Sequence, residues 1–265
     1  MNSPISNSSF PSPLPIAHAC GCYVKASENW IRTQAEYAVG TEPIVLSFST
    51  DNVEKKPDGV ALFESNVLKR RANTAWNRLF GYYPSFYRAL KYHNVRLLHA
   101  HFGPMGYRVM KLSEKADLPL VTTFYGYDLS YLPQQEPEWR DRYAQLFETG
   151  AAFLLEGSHM RDQLIQLGCP PDKAMVQHLG VEVDDWDFAP RTRVEGTPLR
   201  VLFASRFTEK KGFRYAFEAF EQAVNAGADL TLTVIGDADG SARSQREKER
   251  VMSRIEDNDL RDRVN

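Results

Sequence analysis

The sequence is poor in cysteine and has no long apolar run, and each absence narrows the class of protein. Three cysteines, Cys20, Cys22 and Cys169, are too few for a disulfide framework and form no CxxC pair, which predicts a reducing cytosol. No apolar run approaches the roughly 20 residues of a membrane span, and the polar start lacks the features of a signal peptide. The formal charge of −2 gives no general attraction to nucleic acid. We therefore expect a cytoplasmic protein that binds no nucleic acid.

Two phosphate-binding motifs are also missing. The first strand is followed by "ACGCYVKASENW", which contains no GxGxxG, so a dinucleotide dehydrogenase is poorly supported. The sequence has no GxxxxGK[ST] P-loop either. Any phosphate recognition must therefore rest on loops at strand ends and on single side chains.

What the sequence does contain is an alternation of short apolar runs with segments of helical period, the pattern of βα units around a parallel sheet. The runs "PIAHAC", "PIVLSF", "VRLLHAHF", "LPLVTTF", "AAFLLEG" and "KAMVQHLG" are predicted strands, and "LRVLFAS" and "LTLTVIG" begin a second series. The pattern predicts an α/β fold with a doubly wound domain and a smaller second domain. The expected divisions are a disordered tail over 1–15, a domain over 16–180, a linker over 181–198 and a partial domain over 199–265.

Helical period predicts seven helices between these strands. One of them, Ala75–His93, is expected to bend at Pro84 because proline lacks the backbone N–H. The others are Glu28–Ala38, Pro104–Ala116, Glu138–Phe147, Ser158–Leu167, Phe213–Asn225 and one around Arg243–Ile255.

The stretch "ASRFTEKKGF" places cations where a buried strand ends and a helix begins. Free N–H groups and the positive dipole end of a helix favour an anion, and Arg206 adds donors suited to phosphate oxygens. Successive helical residues point about 100° apart, so we expect Lys211 rather than Lys210 to contact the anion. Gly212 is expected to contribute a backbone N–H. The alternative is a solvated charge run, which would place unpaired lysines against the helix dipole.

Two more strand-end loops carry candidate residues. In "LLHAHFGPMG", His99 and His101 share one face of a strand and could form half a metal site. No carboxylate or cysteine follows at a standard spacing, so packing in the sheet is the stronger interpretation for His99. Gly103 permits a tight turn there. In "TTFYGYDLS", Asp128 either caps the following turn or contacts a substrate, and Tyr125 is either a core aromatic or a hydrogen-bonding group of a cleft.

A basic and aromatic segment, 69–83, is the remaining unusual feature. It combines lysine and arginines with tryptophan, phenylalanine and tyrosines. Such a segment either rests on an anionic membrane surface or forms an amphipathic helix with a charged outer face. From these residues alone, the amphipathic helix is the stronger interpretation.

Taken in order, these stretches resemble the family-four glycosyltransferases, retaining enzymes of the GT-B type with two facing Rossmann-like domains. The resemblance runs from about Ile16 to Asn265. It rests on "ASENWIRTQ", "HAHFGPMG", "TTFYGYDLS", "GSHMRDQLIQLGCPPDKAMVQHLGVEVDDWDF", "VLFASRFTEKKGF" and "LTVIGDADG". Tyr125 stands where the family usually has histidine, and Glu182 where it usually has aspartate.

The resemblance implies a hexosyltransferase that moves sugar from UDP- or GDP-sugar to a cell-surface polysaccharide or lipid-linked glycan, with retention of configuration. It implies no cofactor and no metal. The donor diphosphate would contact Arg206, Lys211, Gly212 and Gly236. Tyr125, Asp128 and His101 are the catalytic candidates, and Glu28, Asn29 and Gly103 would lie on the acceptor side. The protein would be cytoplasmic, at the inner face of the cell membrane if segment 69–83 binds lipid.

The resemblance also implies a longer second domain than these residues provide. Family members continue past "LRDRV" through an ExxxxxxxE motif that holds the donor sugar and the ribose. We therefore expect a truncated second domain. The competing hypothesis is a non-catalytic glycosyltransferase-like protein that binds nucleotide or serves as an interaction module.

Overall fold

Parallel strands joined by helices make up both units of the protein. A computed structural model describes residues 13–23, 25, 28–51, 67–181, 183, 187–190, 192, 194–238, 240–257 and 260–265. The chain divides into unit 1, residues 1–185, and unit 2, residues 186–265. This division falls inside the segment predicted as a linker. Residues 1–12 of the predicted tail and Glu182 lie outside the described residues.

Unit 1 alternates strands and helices, as the apolar pattern predicts. Its strands are β1 (Leu14–Tyr23), β2 (Thr41–Thr50), β3 (Leu97–His101), β4 (Leu120–Phe124), β5 (Ala152–Leu155) and β6 (Ala174–Val176). Its helices are α1 (Asn29–Tyr37), α2 (Val67–Phe80), α3 (Pro84–Tyr92), α4 (Gly103–Ala116), α5 (Leu132–Gln135), α6 (Glu138–Thr149) and α7 (Ser158–Gln166). The first strand begins at Leu14, two residues inside the predicted tail.

The six strands form one parallel sheet in the order β2-β1-β3-β4-β5-β6. The chain proceeds from β1 to β2 on one side and then returns to place β3 on the other side. The sheet therefore has a topological switch point between β1 and β3. In open α/β sheets, ligands bind beyond the carboxyl ends of the strands at such a point.

The two faces of this sheet differ in chemistry. One face carries small and aliphatic side chains, such as Ala19 and Leu98, in the main apolar core with residues of α3, α4 and α6. The other face carries His18 and Cys20 on β1, and His99 and His101 on β3, because residues two apart on a strand share a face. Helix α1 packs on that second face with its apolar side chains.

One predicted helix of unit 1 is corrected by the structure, and one short element was not predicted. The helix expected over Ala75–His93 is two helices, α2 and α3, and the chain leaves α2 through Gly81 at a φ of +77°. Pro84 begins α3, where its missing N–H costs nothing because the first turn has no intrahelical acceptor. The sequence pattern also missed a π-helical turn over Tyr127–Tyr131, which runs directly into α5.

Unit 2 contains β7 (Leu199–Ala204), a 3₁₀ turn (Glu209–Lys211), α8 (Phe213–Asn225), β8 (Leu230–Ile235), α9 (Ala242–Asp257) and a 3₁₀ turn (Arg261–Arg263). The two strands are parallel, and Leu232 of β8 also pairs with Val264. The core packs phenylalanines of α8 against Leu232 and the apolar side of α9. The boundaries of α8 match the prediction. In the described part of the chain, no helix is long and apolar enough to cross a membrane.

Candidate functional site

The carboxyl edge of the unit 1 sheet gathers most of the predicted site residues. Strand β3 ends at His101 and β4 at Phe124, and the loop after each strand turns at once into helical structure. Phe102 makes the first of these turns at a φ of +74°, which is strained for a residue with a side chain. Gly103 begins α4 beside Phe124 and Tyr143, and a Cβ on Gly103 would lie 2.4 Å from a Phe124 ring carbon.

Asp128 joins the two loops. Its carboxylate accepts hydrogen bonds from the Gly103 backbone N–H at 2.7 Å and from the Tyr125 backbone N–H at 2.9 Å. The Asp128 side chain is buried, and burial raises its pKa to about 6 although the two N–H donors act in the opposite direction. The Tyr143 hydroxyl donates to the Asp128 backbone carbonyl at 2.7 Å. Both donors precede Asp128 in the chain, so its carboxylate links the two loops and does not cap the turn that follows it.

Tyr125 lies at the start of a buried hydrogen-bonded chain. Its hydroxyl is 2.7 Å from Nδ1 of His101, and Nε2 of His101 is 3.1 Å from Nδ1 of His18. The rings of Trp30 and Phe102 pack against Tyr125, with centroids 5.5 Å and 4.7 Å from its ring centroid. Burial raises the pKa of the Tyr125 hydroxyl above its usual value, so it remains protonated and available as a donor.

Three buried histidines lie close together at the inner end of this row of hydrogen bonds. Burial lowers the pKa of His18 to about 4 and that of His99 to about 3, and it lowers the pKa of His101 well below 6.5. All three rings are therefore neutral at ordinary pH. His99 is buried on strand β3, and its Nε2 is 2.7 Å from the Thr123 hydroxyl oxygen.

His18 is the residue of this site that sequence reasoning missed. It stands opposite His99 in the register of β1 and β3, although it is far from His99 along the chain. Local spacing could not reveal this partner, since only the order of strands in the sheet makes the two neighbours. The alternation in "PIAHAC" places His18 on a strand but not beside β3.

The two predicted acceptor-side residues at the start of α1 are engaged in local contacts. The Glu28 carboxylate forms an ion pair with Lys25 at 2.6 Å, and the Asn29 side-chain oxygen accepts from Arg32 at 3.2 Å. Both contacts are solvent-exposed. The structure therefore brings Tyr125, Asp128, His101 and Gly103 together, while Glu28 and Asn29 make no described contact with them.

In unit 2, the corner after β7 carries three exposed cations. Within the part of the chain that the structure describes, Arg206, Lys210 and Lys211 have no carboxylate within 4.0 Å. The neighbouring Glu209 is instead paired with Arg243. Unpaired cations just before the helix α8 oppose its dipole, so an anion bound there would relieve that repulsion.

The two glycines of this corner make close contacts within the chain. The Gly212 N–H already donates to the Glu209 carbonyl at 2.9 Å, so it cannot be the donor to a phosphate. The unsatisfied N–H groups of an α-helix belong to its first turn, which here begins at Phe213. Gly236 adopts a φ of +147°, and a Cβ there would lie 1.9 Å from the Ser205 carbonyl oxygen. The close approach that Gly236 permits is to the chain itself.

Solved GT-B glycosyltransferases share this architecture. Anabaena Alr3699/HepE, crystallised with UDP and glucose, matches with a TM-score of 0.71 at 15% identity, over 95% of this chain and 68% of that chain. A glycosyltransferase from Rickettsia africae matches with a TM-score of 0.69 at 18% identity, over 96% of this chain and 67% of that chain. At these identities the likeness establishes the fold, which is α/β of the GT-B type as predicted.

The family model described as Glycosyltransferase Family 4 matches residues 29–185, more than half of the sequence. The chain belongs to this family, as the sequence motifs predict. AmsK of Erwinia amylovora, an amylovoran biosynthesis glycosyltransferase, is 33% identical over 166 residues, 62% of this chain and 39% of AmsK. WcaL of Escherichia coli K12, named for colanic acid biosynthesis, is 34% identical over 143 residues, 52% of this chain. That match spans 34% of WcaL, so this chain corresponds to only part of these relatives.

Proposed function

We propose that this protein takes part in glycosyl transfer from UDP- or GDP-hexose to a polysaccharide or lipid-linked glycan, with retention of configuration and without a catalytic metal. Family membership and the relatives named for colanic acid and amylovoran biosynthesis support this proposal. The observation that carries it is the group of unpaired cations after β7, at Arg206 and Lys211.

The chemistry of the reaction suits that corner. When the glycosidic bond breaks, the leaving nucleoside diphosphate gains negative charge. Fixed cations and the N–H groups of the first turn of α8 would stabilise this charge most strongly in the transition state. Arg206 would supply a planar pair of donors to phosphate oxygens, and Lys211 a compact charge. Gly236 would act indirectly, by shaping the strand-end loop.

The experiment that tests this site is calorimetric titration of UDP and GDP into the wild-type chain and its variants. Charge-assisted hydrogen bonds contribute about 1.5–3 kcal/mol each, so Arg206→Ala should weaken binding of the preferred nucleotide roughly tenfold to hundredfold. Lys211→Ala should have a similar effect. Lys210→Ala is the matched control, because it removes the same charge from the same turn and should change the affinity by less than about threefold.

Two outcomes would contradict the proposed site. In one, wild type and Arg206→Ala bind both nucleotides equally, or neither protein binds. In the other, Lys210→Ala costs as much affinity as Lys211→Ala, which would indicate a general charge effect. Nucleotide binding without transfer or donor hydrolysis would favour the competing non-catalytic hypothesis.

On unit 1, we propose that Tyr125 faces the reacting groups, that the buried His101 orients the Tyr125 hydroxyl, and that Asp128 positions their loops. The hydrogen bond between the Tyr125 hydroxyl and His101 supports a direct polar role for Tyr125. The two backbone bonds to Asp128 support its positioning role. Glu28, Asn29 and Gly103 remain proposed acceptor-side residues. Tyr125→Phe should lower kcat for transfer more than it changes KM for the donor, while an unchanged kcat would remove Tyr125 from the reaction.

We propose in addition that α2 binds an anionic membrane surface, which would give a cytoplasmic protein a peripheral position. Leu68 and Leu79 are 75% and 78% exposed, and Trp76 is also exposed. Leu68 and Leu79 are eleven residues apart and therefore lie on one side of the helix. Arg71 and Arg78, seven residues apart, border that side. An apolar side bordered by arginines is typical of helices that lie in the lipid interface.

Co-sedimentation with lipid vesicles tests this surface. Wild type should bind phosphatidylglycerol vesicles and lose binding as salt rises. Each basic residue near an anionic surface contributes about 1 kcal/mol, so replacing both Arg71 and Arg78 by Gln should weaken binding roughly 30-fold. Arg88→Gln on α3 is the control. Failure of wild type to bind at low salt would contradict the proposal.

A further inference from the structure

The histidines on the second face of the unit 1 sheet form a compact group of possible metal ligands. His18, His99 and His101 are all buried, and one ring nitrogen from each lies within 4.8 Å of the others. Among the described residues, this is the group of three potential metal ligands whose ligand atoms lie this close together. It comes from two neighbouring strands, which hold the backbone of all three residues in a rigid sheet. We propose that these three side chains bind one divalent transition-metal ion, with Zn²⁺ as the best match.

The distances suit an ion with three imidazole ligands. Zinc binds histidine nitrogen at about 2.0–2.1 Å in tetrahedral geometry, which places two ligand nitrogens about 3.3 Å apart. Nδ1 of His18 and Nε2 of His101 are already 3.1 Å apart. The widest separation in the group is at most 4.8 Å, so binding requires only about 1.5 Å of combined ring movement. The fourth position remains for water or an anion.

The outer contacts of His99 and His101 are of the kind that metal ligands make. A histidine that binds a metal usually donates its other ring N–H to a neighbouring oxygen, which sets the tautomer and orients the ring. Here the Thr123 hydroxyl oxygen is 2.7 Å from Nε2 of His99, and the Tyr125 hydroxyl oxygen is 2.7 Å from Nδ1 of His101. These contacts leave Nδ1 of His99 and Nε2 of His101 on the inner side of the group.

The ring of His18 is held less completely than the other two rings. Its Nε2 atom is buried and finds no hydrogen-bond partner among the described residues. With Nδ1 toward the ion, His18 lacks the outer contact that His99 and His101 have, so the ion itself would fix the orientation of this ring.

The proposed ion would stabilise the sheet at its switch point and orient Tyr125 through His101. The inference rests on the geometry of the histidines in unit 1 and not on the proposed glycosyl transfer. His99 is 9% exposed, the largest fraction of the three, and offers the approach from solvent.

The test is metal binding by the full chain prepared without a histidine tag and dialysed against chelator. Zn²⁺ titration followed by mass-spectrometric metal analysis should give one ion per chain, and Co²⁺ should give visible ligand-field absorption of a four-coordinate site. His18→Gln and His99→Gln should weaken binding at least 100-fold. Thr123→Val should weaken it about tenfold through loss of the outer contact. His178→Gln, at an exposed histidine, is the matched control and should bind as wild type does.

Thermal unfolding keeps the test decisive if a variant folds poorly. Zn²⁺ should raise the Tm of wild type and of His178→Gln, because a ligand that binds the native state stabilises it. The same addition should leave the Tm of His18→Gln unchanged. Binding of less than one ion by wild type, equal binding by His18→Gln, or no Tm change in wild type would overturn the proposal and leave a packed, metal-free histidine cluster.

Discussion

Replacing Gly236 by alanine should destabilise unit 2 more than replacement of any glycine that has open space around it. Gly236 follows β8 directly and has a φ of +147°, a conformation that residues with a side chain rarely adopt. An added Cβ would lie 1.9 Å from the carbonyl oxygen and 2.8 Å from the carbonyl carbon of Ser205. Both atoms belong to the backbone, so no side-chain rotation can relieve the overlap.

Two terms determine the size of the effect. The unfavourable backbone conformation costs about 1–3 kcal/mol for an L-residue. The overlap with Ser205 costs about 1–3 kcal/mol more, because the loop must shift as in an overpacked core. The Ser205 N–H donates to the Ile235 carbonyl at 2.9 Å, so this shift would also weaken the pairing of β7 with β8. The total of about 2–6 kcal/mol is a large part of the 5–15 kcal/mol that stabilises a typical domain.

Gly240→Ala is the matched control for this prediction. Gly240 lies in the same unit with a φ of +87°, but an added Cβ would meet no atom within 4 Å. Gly240→Ala should therefore lose only the free energy that the unfavourable backbone conformation costs. Hydrogen exchange of the amides in β8 and α8, followed by mass spectrometry with increasing urea, would measure the opening free energy of unit 2 in both variants. UDP titration would report the effect on the proposed donor site.

The expected result is an opening free energy lower for Gly236→Ala than for Gly240→Ala by about 1–3 kcal/mol, with nucleotide affinity reduced in Gly236→Ala alone. Equal opening free energies in the two variants would refute the steric argument. Equal stability with selective loss of UDP affinity would instead mean that Gly236 acts by direct approach to the nucleotide.

Three further predictions concern stability. Tyr143→Phe should lower the free energy of unfolding of unit 1 by about 1–2 kcal/mol in urea titrations, because the buried Asp128 carbonyl loses its donor; an unchanged value would contradict this. Burial raises the pKa of Asp128 from 3.8 to about 6, so the native state retains a proton that the unfolded chain releases between these values. The stability of wild type relative to Asp128→Asn should therefore fall by up to about 3 kcal/mol as pH rises from 4 to 6, and a flat difference would refute it. Arg254→Met should lower the free energy of unfolding by less than about 1 kcal/mol. Arg254 pairs with two glutamates, but these ion pairs are partly exposed. A larger loss would contradict this prediction and show a stronger ion-pair network.

The order of strands and helices along the chain could be predicted because the signals are local. Apolar runs such as "LLHAH" and "LVTTF" have strand length, and α8 shows helical spacing with a glycine before it and glycine after it. The corner at Arg206 could also be located, since a strand end followed by a helix start is visible over ten residues. The division of the helix near Pro84 was missed because turn geometry at Gly81 has no periodic signal.

Strand length, helical period and charge are properties of short segments, so the sequence was sufficient to predict an α/β protein with GT-B motifs in order and a cationic corner after β7. Contacts between distant segments depend on the fold, and it was the structure that showed which candidate residues meet. It placed His18 of β1 beside the two histidines of β3, since hydrogen-bonded register joins residues that are distant in the chain. It also assigned the Gly212 N–H to Glu209 and both oxygens of Asp128 to backbone donors, because buried polar groups must find partners when the chain packs.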